Sequence, residues 1–434
     1  MLNFEQEEAL NSIIKSESIF LTGSPGTGKS FTLKKIVEYL KTTSINYGIT
    51  ALTGAAAILI NGQTLHSFLG IGLGNDNVDK LYDNVKKNKK KIYNTLKNLD
   101  LLIIDEISMM NNILFEKISK FLSKIKNNLL HFGNIKLLFI GDFHQLPPIT
   151  GNYCFKSKIW NDLNLKNIVL KKSIRQIGDD NFNNILYSIR NGTITDNMYN
   201  NLLKLKETTF PDFIIPTKLY CLNYDVDFIN KRNFNKQYAI NKNIKLNTHN
   251  IEELINNDTI ISNNSYDDSN NDDISNIYKY EPLSNDLKYN KEEYTITLLK
   301  YTQVMITRNI NINEGLVNGT RGYILFLNKN YVIIKDINNK THKINYFKDE
   351  NHNKSTYILH MPIILAYALS IHKCQGSTLD AVEIDASSNN FASGQLYTAL
   401  SRTRSLDNIK LINLDKKAFI VNNDVLEFYK NLKI

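Results

Sequence analysis

The segment GSPGTGKS at residues 23–30 constrains the fold most strongly, because it follows an apolar strand candidate at 18–21 and precedes a helix-permissive run at 31–41. Phosphate-binding loops of P-loop proteins have this order of strand, glycine-rich loop and helix. The glycines let backbone N–H groups surround the α- and β-phosphates of a nucleotide, and the lysine reaches the β- and γ-phosphate oxygens. We expect this segment to bind a nucleoside triphosphate through Gly23, Ser24, Pro25, Gly26, Thr27, Gly28, Lys29 and Ser30, with the Ser30 hydroxyl as a Mg²⁺ ligand.

A second nucleotide element is the apolar run LLII at residues 101–104, which leads directly into Asp105 and Glu106. In a P-loop enzyme a carboxylate at this strand end holds Mg²⁺, and its neighbour orients and deprotonates the attacking water. We therefore predict Asp105 as a Mg²⁺ ligand acting through water, and Glu106 as the general base. The alternative is an exposed acidic turn.

A third apolar strand candidate ends at the octet GDFHQLPP, residues 141–148. Gln145 can hydrogen-bond a γ-phosphate and report its hydrolysis. The two prolines stop the chain from continuing as a helix or a central strand. A plain loop would account for the prolines but not for the whole octet.

Short apolar segments at residues 18–21, 48–52, 101–104 and 136–140 alternate with helical stretches. This alternation predicts a parallel, doubly wound α/β sheet. Residues 247–290 are rich in Asn, Asp and Ser, which indicates a flexible surface insertion. Segments 295–307, 322–336 and 341–346 have β-rich spacing that predicts a small barrel within a second domain.

The chain has 434 residues and 42% hydrophobic residues, enough for two or more domains of about 100 to 200 residues each. Its net charge of +9 suits an anionic partner such as nucleic acid. The charge alone does not establish that partner, because a soluble protein can be basic without binding nucleic acid. The cysteines Cys154, Cys221 and Cys374 are far apart and match no zinc-ligand spacing. We expect an intracellular, soluble protein in a reducing compartment, without a signal peptide, a structural metal or a membrane segment.

Eight ordered segments resemble the motifs of superfamily-one DNA helicases of the Pif and RecD group, and most closely its Pif branch. The resemblance runs nearly end to end. The segments are residues 3–10, ALTGAAA at 51–57 with TLHSF at 64–68, LKKSIRQ at 170–176, 182–192, QVM at 303–305, LVNGTRG at 316–322, SIHKCQGST at 370–378 and QLYTALSR at 395–402.

The resemblance implies two RecA-like P-loop NTPase domains, residues 1–170 and 171–434, that close around ATP. It also implies a small insertion at about 62–95 and an SH3-like β-barrel insertion at about 322–357. Gln6 would read adenine, Gly376 would contact the nucleotide, and Arg175 and Arg402 would stabilise the transition state. The residues that would contact single-stranded DNA are Thr53, His66, Phe68, Asn318, His372 and Lys373.

The activity that the resemblance implies is ATP-dependent, 5'-to-3' translocation on single-stranded DNA, with unwinding of tailed or forked duplexes in replication, recombination or repair. A monomer is the default for this group. Two alternatives stay open: a RecD-like translocase that needs partner chains, and a nucleic-acid-binding ATPase that acts as a switch. From the residues alone, each arginine would more often be a surface residue, Phe68 a core residue and His372 a buried histidine.

Overall fold

The computed structural model describes residues 2–72, 74–173, 175, 179–210, 216–241, 277–284, 291–308, 310–311, 314, 316, 319–336, 339–350, 357–387 and 392–432. Contacts divide the chain into two compact units. The first unit comprises Met1–Thr208, Ile371–Gly376 and Ala386–Ile434, and the second comprises Thr209–Ser370 and Ser377–Asp385.

The first unit contains a six-stranded parallel sheet in the order β3-β2-β4-β5-β1-β6. The predicted parallel α/β sheet is therefore confirmed, with a strand at each of the four apolar segments. Its strands are β1 Ile19–Gly23, β2 Tyr47–Ala51, β3 Gln63–Thr64, β4 Leu101–Asp105, β5 Lys136–Gly141 and β6 Lys166–Leu170. A further strand, β20 Ile409–Ile412, also lies in this unit.

The two faces of this sheet are covered by separate apolar clusters. Side chains alternate between the faces along each strand, so Ile19 and Leu21 join one cluster whereas Phe20 joins the other. The helices of this unit are α1 Phe4–Ile14, α2 Lys29–Leu40, α3 Gly54–Leu59, α4 Leu65–Leu69, α5 Val78–Asn88, α6 Lys90–Lys97, α7 Asn112–Lys126, α8 Lys158–Asp162, α9 Asp180–Asn191, α10 Asp196–Leu203, α13 Gln395–Leu400 and α14 Asn423–Lys430.

The second unit combines a parallel strand group with antiparallel sheets. Strand β7 pairs in parallel with β18 and β19, and helix α11 packs on β7 and β18. The elements are β7 Thr217–Tyr220, α11 Asn223–Asn241, β8 Ile277–Tyr280, β9 Leu283–Ser284, α12 Lys291–Tyr294, β10 Ile296–Leu299, β11 Gln303–Ile306, β12 Arg321–Leu327, β13 Tyr331–Asp336, β14 Thr341–Asn345, β15 Phe347–Glu350, β16 Tyr357–His360, β17 Ile363–Leu365, β18 Ala368–Ser370 and β19 Val382–Asp385.

The predicted β-rich insertion is confirmed as an antiparallel, five-stranded sheet in the order β14-β13-β12-β11-β17. A bulge interrupts the register of β12 between Ile324 and Phe326. The sheet extends from Gln303 to Leu365, beyond the expected bounds of 322–357, because β11 and β17 pair with each other. Its apolar core includes Val304, Ile334 and Ile344.

The expected domain bounds, 1–170 and 171–434, stay a prediction, as do the bounds of the two smaller insertions. Of the expected Asn-rich and Asp-rich insertion at 247–290, residues 247–276 and 285–290 lie outside the described residues. In the part of the chain that the structure describes, no helix is both long and apolar enough to cross a membrane.

Candidate nucleotide-binding site and nucleic-acid contacts

The phosphate loop joins β1 to α2 at the carboxyl edge of the parallel sheet. Gly28 is the N-cap of α2 and has a φ of 91°, in the left-handed region that favours glycine. A Cβ on Gly23 would lie 2.6 Å from the Leu170 carbonyl oxygen and 2.7 Å from Thr27 Oγ1. Glycine is therefore required at Gly23 for close packing, and the exposed N–H groups at the start of α2 suit an anion.

Lys29 and Ser30 are the last two residues of the phosphate loop and the first two residues of α2. The Lys29 ammonium donates hydrogen bonds to the carbonyl oxygens of Gly23, at 2.7 Å, and Ser24, at 3.1 Å. Burial lowers the pKa of Lys29, whereas the carboxylates of Asp142, Glu106 and Asp105 favour its charged form. The Ser30 side chain is exposed in the first helical turn, where its hydroxyl is accessible to a ligand.

Asp105 and Glu106 are both buried at the carboxyl end of β4. Asp105 Oδ1 accepts a hydrogen bond from the Glu106 N–H at 2.8 Å. Burial raises the pKa of Asp105, and the adjacent Glu106 carboxylate raises it further. This burial excludes the alternative interpretation of the pair as an exposed acidic turn.

Glu106 has a φ of 54° and a ψ of 41°, a left-handed conformation that non-glycine residues seldom adopt. Gln375 Nε2 donates a hydrogen bond of 2.8 Å to Glu106 Oε2. A Cβ on Gly376 would lie 3.7 Å from Glu106 Oε1 and 3.0 Å from Leu59 Cδ1. The segment at residues 370–378 thus contributes Gln375, which was not predicted as a site residue. It also places Gly376 beside Glu106, the predicted general base.

Gln145 and Arg402 approach each other within the first unit. Arg402 Nη2 lies 3.5 Å from Gln145 Oε1 and donates to Ser401 Oγ at 2.8 Å. Its Nε donates to the Thr398 carbonyl oxygen at 2.8 Å, which ties the guanidinium to helix α13. Arg402 is 1% exposed, and this burial lowers its pKa. The expectation from residues alone, a surface arginine, is wrong for Arg402.

Arg175 is tied to the same segment, because its Nη1 donates a 2.8 Å hydrogen bond to the Ser401 carbonyl oxygen. Burial, together with the nearby guanidinium of Arg402, lowers the pKa of Arg175 to about 9. That value keeps Arg175 cationic at neutral pH. Both predicted cations therefore lie close to Ser401, and one of them, Arg402, also contacts Gln145.

Asp142 is the centre of a buried polar network that sequence analysis missed. Its Oδ1 accepts a hydrogen bond from Arg190 Nη2 at 3.1 Å and from the Tyr429 hydroxyl at 3.3 Å, and its Oδ2 accepts from the Tyr397 hydroxyl at 3.3 Å. Burial opposes ionisation of Asp142, but the Arg190 guanidinium, its hydrogen bond and the Lys29 ammonium together favour the carboxylate, and the pKa is lowered to about 2. The His144 imidazole does not lower the pKa of Asp142 at pH 7, because burial lowers the pKa of His144 itself to about 3 and the ring is neutral.

Gln6 occupies the third position of α1 and forms a capping box with Asn3. Asn3 Oδ1 accepts from the Gln6 N–H at 2.9 Å, and Gln6 Oε1 accepts from the Asn3 N–H at 3.1 Å. Gln6 is buried, and its Nε2 has no hydrogen-bond partner among the residues that the structure describes. Its amide thus has an unused donor, and the expected adenine contact stays a prediction.

The predicted DNA contacts are divided among different environments. Thr53 Oγ1 accepts a hydrogen bond from the Ala56 N–H at 3.2 Å, so this hydroxyl caps α3. His66 and His372 are half-buried, which lowers the pKa of each imidazole, and Lys373 is exposed. Asn318 lies outside the described residues.

Phe68 is buried in the apolar core of the first unit. A Cβ on Gly48 would lie only 2.2 Å from Phe68 Cζ, so the ring packs directly against the Gly48 backbone. Phe68 is therefore a packing residue. Its buried position gives no support to the expected stacking on a DNA base. The sequence alone already favoured this core interpretation.

The described residues contain no cluster of three or more His, Cys, Asp or Glu side chains with metal-binding geometry. The predicted oxygen ligands are the buried Asp105 carboxylate and the exposed Ser30 hydroxyl. Oxygen ligands suit Mg²⁺, which commonly binds through one or two protein groups together with phosphates and waters. The site therefore fits a cation held jointly with a nucleotide.

Family models and relatives match most of this chain. A model described as PIF1-like helicase matches residues 1–200, and one described as the 2B domain of DNA helicase Pif1 matches residues 296–327. Uncharacterized protein 030L of Invertebrate iridescent virus 6 is 31% identical over 510 residues, covering 100% of this chain and 94% of that protein. This chain belongs to the PIF1-like helicase family.

Another family member, the ATP-dependent DNA helicase PIF1 of Danio rerio, is 33% identical over 444 residues that cover 100% of this chain. The chain spans only 64% of the length of that relative. The PIF1-like fold is also shared with the crystal structure of Pif1 helicase from Candida albicans, at 29% identity, with 100% of both chains covered and a TM-score of 0.79. The Bacteroides Pif1 helicase in complex with ADP-AlF3 and single-stranded DNA is 25% identical, with 99% of this chain and 96% of that chain covered and a TM-score of 0.66.

Proposed function

We propose that this protein is an ATP-dependent DNA helicase. The observation that carries the proposal is the assembly, within one unit, of a phosphate loop, a buried Asp-Glu pair and the Gln145–Arg402 contact. Those groups are the ones that phosphoryl transfer to water requires: a phosphate cradle, a base and cations. The names of the PIF1 relatives support DNA as the partner on which hydrolysis acts.

ATP is the proposed nucleotide. Its phosphates would occupy the loop from Gly23 to Ser30, and its adenine would hydrogen-bond Gln6 Nε2, which has no partner among the described residues. Ser30 and Asp105 would hold Mg²⁺, Asp105 through water. When bound, this ion supplies positive charge against the phosphate oxygens.

In the proposed reaction Glu106 orients the attacking water and takes its proton. Gln375 positions the Glu106 carboxylate through its 2.8 Å hydrogen bond. Lys29, Arg175 and Arg402 provide positive charge where negative charge develops on the transferring phosphoryl group. Gln145, in contact with Arg402, would sense whether the γ-phosphate is present.

Hydrolysis would drive 5'-to-3' translocation on single-stranded DNA and separation of tailed or forked duplexes. The proposed DNA contacts are Thr53, His66, Asn318, His372 and Lys373, whose hydroxyl, imidazole, amide and ammonium groups can hydrogen-bond phosphates. We further propose two RecA-like domains, a monomeric and intracellular protein, and roles in replication, recombination or repair.

The first alternative function, also enzymatic, is that of a RecD-like translocase that depends on partner chains. The rival of another class is a DNA-binding ATPase that works only as a switch. The buried Glu106, together with two arginines tied to Ser401, favours a hydrolytic motor, because a switch needs nucleotide binding more than rapid turnover.

Substitution Lys29→Ala tests the proposal. Loss of the ammonium should abolish DNA-stimulated ATP hydrolysis, because each transition-state cation of this kind contributes roughly 100-fold or more to the rate. Hydrolysis is measured as phosphate release with and without single-stranded DNA, and folding by circular dichroism. The matched control is Lys35→Ala on the same helix, where the lysine pairs with Glu38 at the surface. Normal turnover in a folded Lys29→Ala variant would refute the ATP site.

A further inference from the structure

Helix α14 brings one tyrosine hydroxyl to the carboxyl ends of β1 and β5. Parallel pairing between these strands extends to Thr22 and Gly141. After these residues β1 leads into the phosphate loop, and β5 leads into residues 142–148, here called the Gln145 loop. The Tyr429 hydroxyl lies 2.7 Å from Thr22 Oγ1 and accepts a hydrogen bond from the Phe143 N–H at 3.1 Å. Tyr429 thus joins the two strands where their own hydrogen-bond ladder stops.

The donors and acceptors at this hydroxyl are fully matched. A tyrosine hydroxyl can donate one hydrogen bond and accept two. Tyr429 donates to Asp142 Oδ1 at 3.3 Å, since an ionised carboxylate only accepts. It accepts from the Phe143 N–H, so Thr22 donates the remaining bond. Loss of this one oxygen would leave two buried donors unpaired.

The ring of Tyr429 is held in place from several sides. It stacks on the His144 ring at a centroid distance of 4.6 Å and an angle of 20°, and the Arg190 guanidinium lies 5.0 Å from its centroid. The preceding residue, Phe428, stacks on Phe155 with a centroid distance of 4.4 Å. The hydroxyl is therefore preorganised by packing, and removal of its oxygen should not displace the ring.

We propose that Tyr429 is a positioning residue for ATP hydrolysis, whose hydroxyl fixes the Gln145 loop relative to the phosphate loop. This inference rests on the proposed function. Tyr429 acts through Thr22, which precedes Gly23, and through Phe143, which precedes Gln145 by two residues. Nucleotide binding depends mainly on the phosphate loop itself, whereas hydrolysis depends on the alignment of both loops.

The test is the steady-state ATPase activity of Tyr429→Phe in the full chain with single-stranded DNA. We expect kcat to fall about tenfold, because small displacements of reacting groups reduce rates by one to two orders of magnitude, and KM for ATP to change less than about twofold. The matched control is Tyr153→Phe. Tyr153 is a buried tyrosine of the same aromatic cluster, and its hydroxyl has no hydrogen-bond partner among the described residues. This control should retain the kcat of the parent chain.

A second variant, Thr22→Val, removes the other end of the bridge and should also lower kcat selectively. If the bridge acts as a unit, the double variant should lose no more activity than Tyr429→Phe alone. A parent chain without ATPase activity would overturn both the proposed function and this inference. An active parent whose Tyr429→Phe variant keeps its kcat, or shows only a raised KM, would overturn this inference alone. If Tyr429→Phe does not fold, Thr22→Val decides by the same criteria.

Discussion

At the scale of single residues, the buried ion pair between Asp142 and Arg190 stabilises the fold, because each charge compensates the other. Asp142 is fully buried, and Arg190 is its nearest cation, at 3.1 Å. Substitution Arg190→Met should lower the free energy of unfolding by about 3 to 5 kcal/mol at neutral pH, because it leaves a buried carboxylate without its partner. Urea denaturation, followed by the fluorescence of the single tryptophan, Trp160, measures the loss.

The pH dependence of this variant should have the opposite sign from that of the parent. In the parent chain, the pKa of Asp142 is lowered from 3.8 to about 2, so its stabilisation is present above about pH 4 and is lost as the pH falls through 2. Without Arg190, burial should raise the pKa of Asp142 above 3.8. The variant should then recover stability as the pH falls from neutral toward 3.8, because protonation removes the buried charge.

The control for this pair is Lys416→Met, which removes an exposed ion pair with Asp196 at 2.8 Å. Exposed pairs contribute little to stability, so the unfolding curve of this variant should overlay that of the parent. An Arg190→Met variant with parental stability at every pH would show that the buried pair is not the source of stabilisation.

Residues that act through a local motif were predictable from the sequence. Lys29 and Asp105 follow strands at fixed spacing, so their places at one sheet edge could be expected before any contact was known. Gln375 and Arg190 could not be assigned in this way. Their roles depend on Glu106 and Asp142, whose positions lie far away in the sequence, and only the folded chain brings these groups together.

At the scale of elements, α13 docks on the Gln145 loop through a glycine. Gly394, the N-cap of α13, has a φ of 75°, and a Cβ there would lie 2.2 Å from the Gln145 carbonyl oxygen and 2.5 Å from that of His144. Gly394→Ala should push α13 and the Gln145 loop apart and so separate Gln145 from Arg402. We expect ATP hydrolysis to fall about tenfold or more, measured as phosphate release.

Gly72→Ala is the matched control, because Gly72 also has a positive φ, of 60°, but an added Cβ there meets no atom within 4 Å. Both variants bear the cost of a left-handed alanine, roughly 1 kcal/mol, whereas only Gly394→Ala has the steric clash. Equal activity of the two variants would contradict a role for close packing between α13 and the Gln145 loop.

The elements differ in how far sequence alone could define them. Strands β1, β2, β4 and β5 are short apolar runs, and the chain around them alternates with helices, so the parallel sheet was predictable. The five-stranded antiparallel sheet was predicted as an insertion at about 322–357, but the pairing of its outer strands was not predictable. Its outer strand β17 pairs with β11 across a long stretch of intervening chain, and that pairing leaves no local pattern.

At the scale of the whole molecule, the net charge of +9 suits a phosphate backbone but does not choose between a motor and a simple binder. The salt dependence of DNA binding would be similar for both. Directional unwinding does discriminate, because it requires hydrolysis coupled to movement along one strand polarity. The decisive comparison therefore concerns two duplexes, one with a 5' single-stranded tail and one with a 3' tail.

We expect ATP-dependent strand separation of the 5'-tailed duplex only, measured by release of a fluorescently labelled strand. The inactive control is Glu106→Gln, which keeps the size and hydrogen-bonding capacity of the side chain beside Gln375 but cannot accept the proton from water. Unwinding of the 3'-tailed duplex alone would contradict the proposed polarity while keeping a helicase. DNA-stimulated hydrolysis without unwinding of either duplex would instead favour the partner-dependent translocase, since the chemical groups would then work while productive strand separation needed another chain.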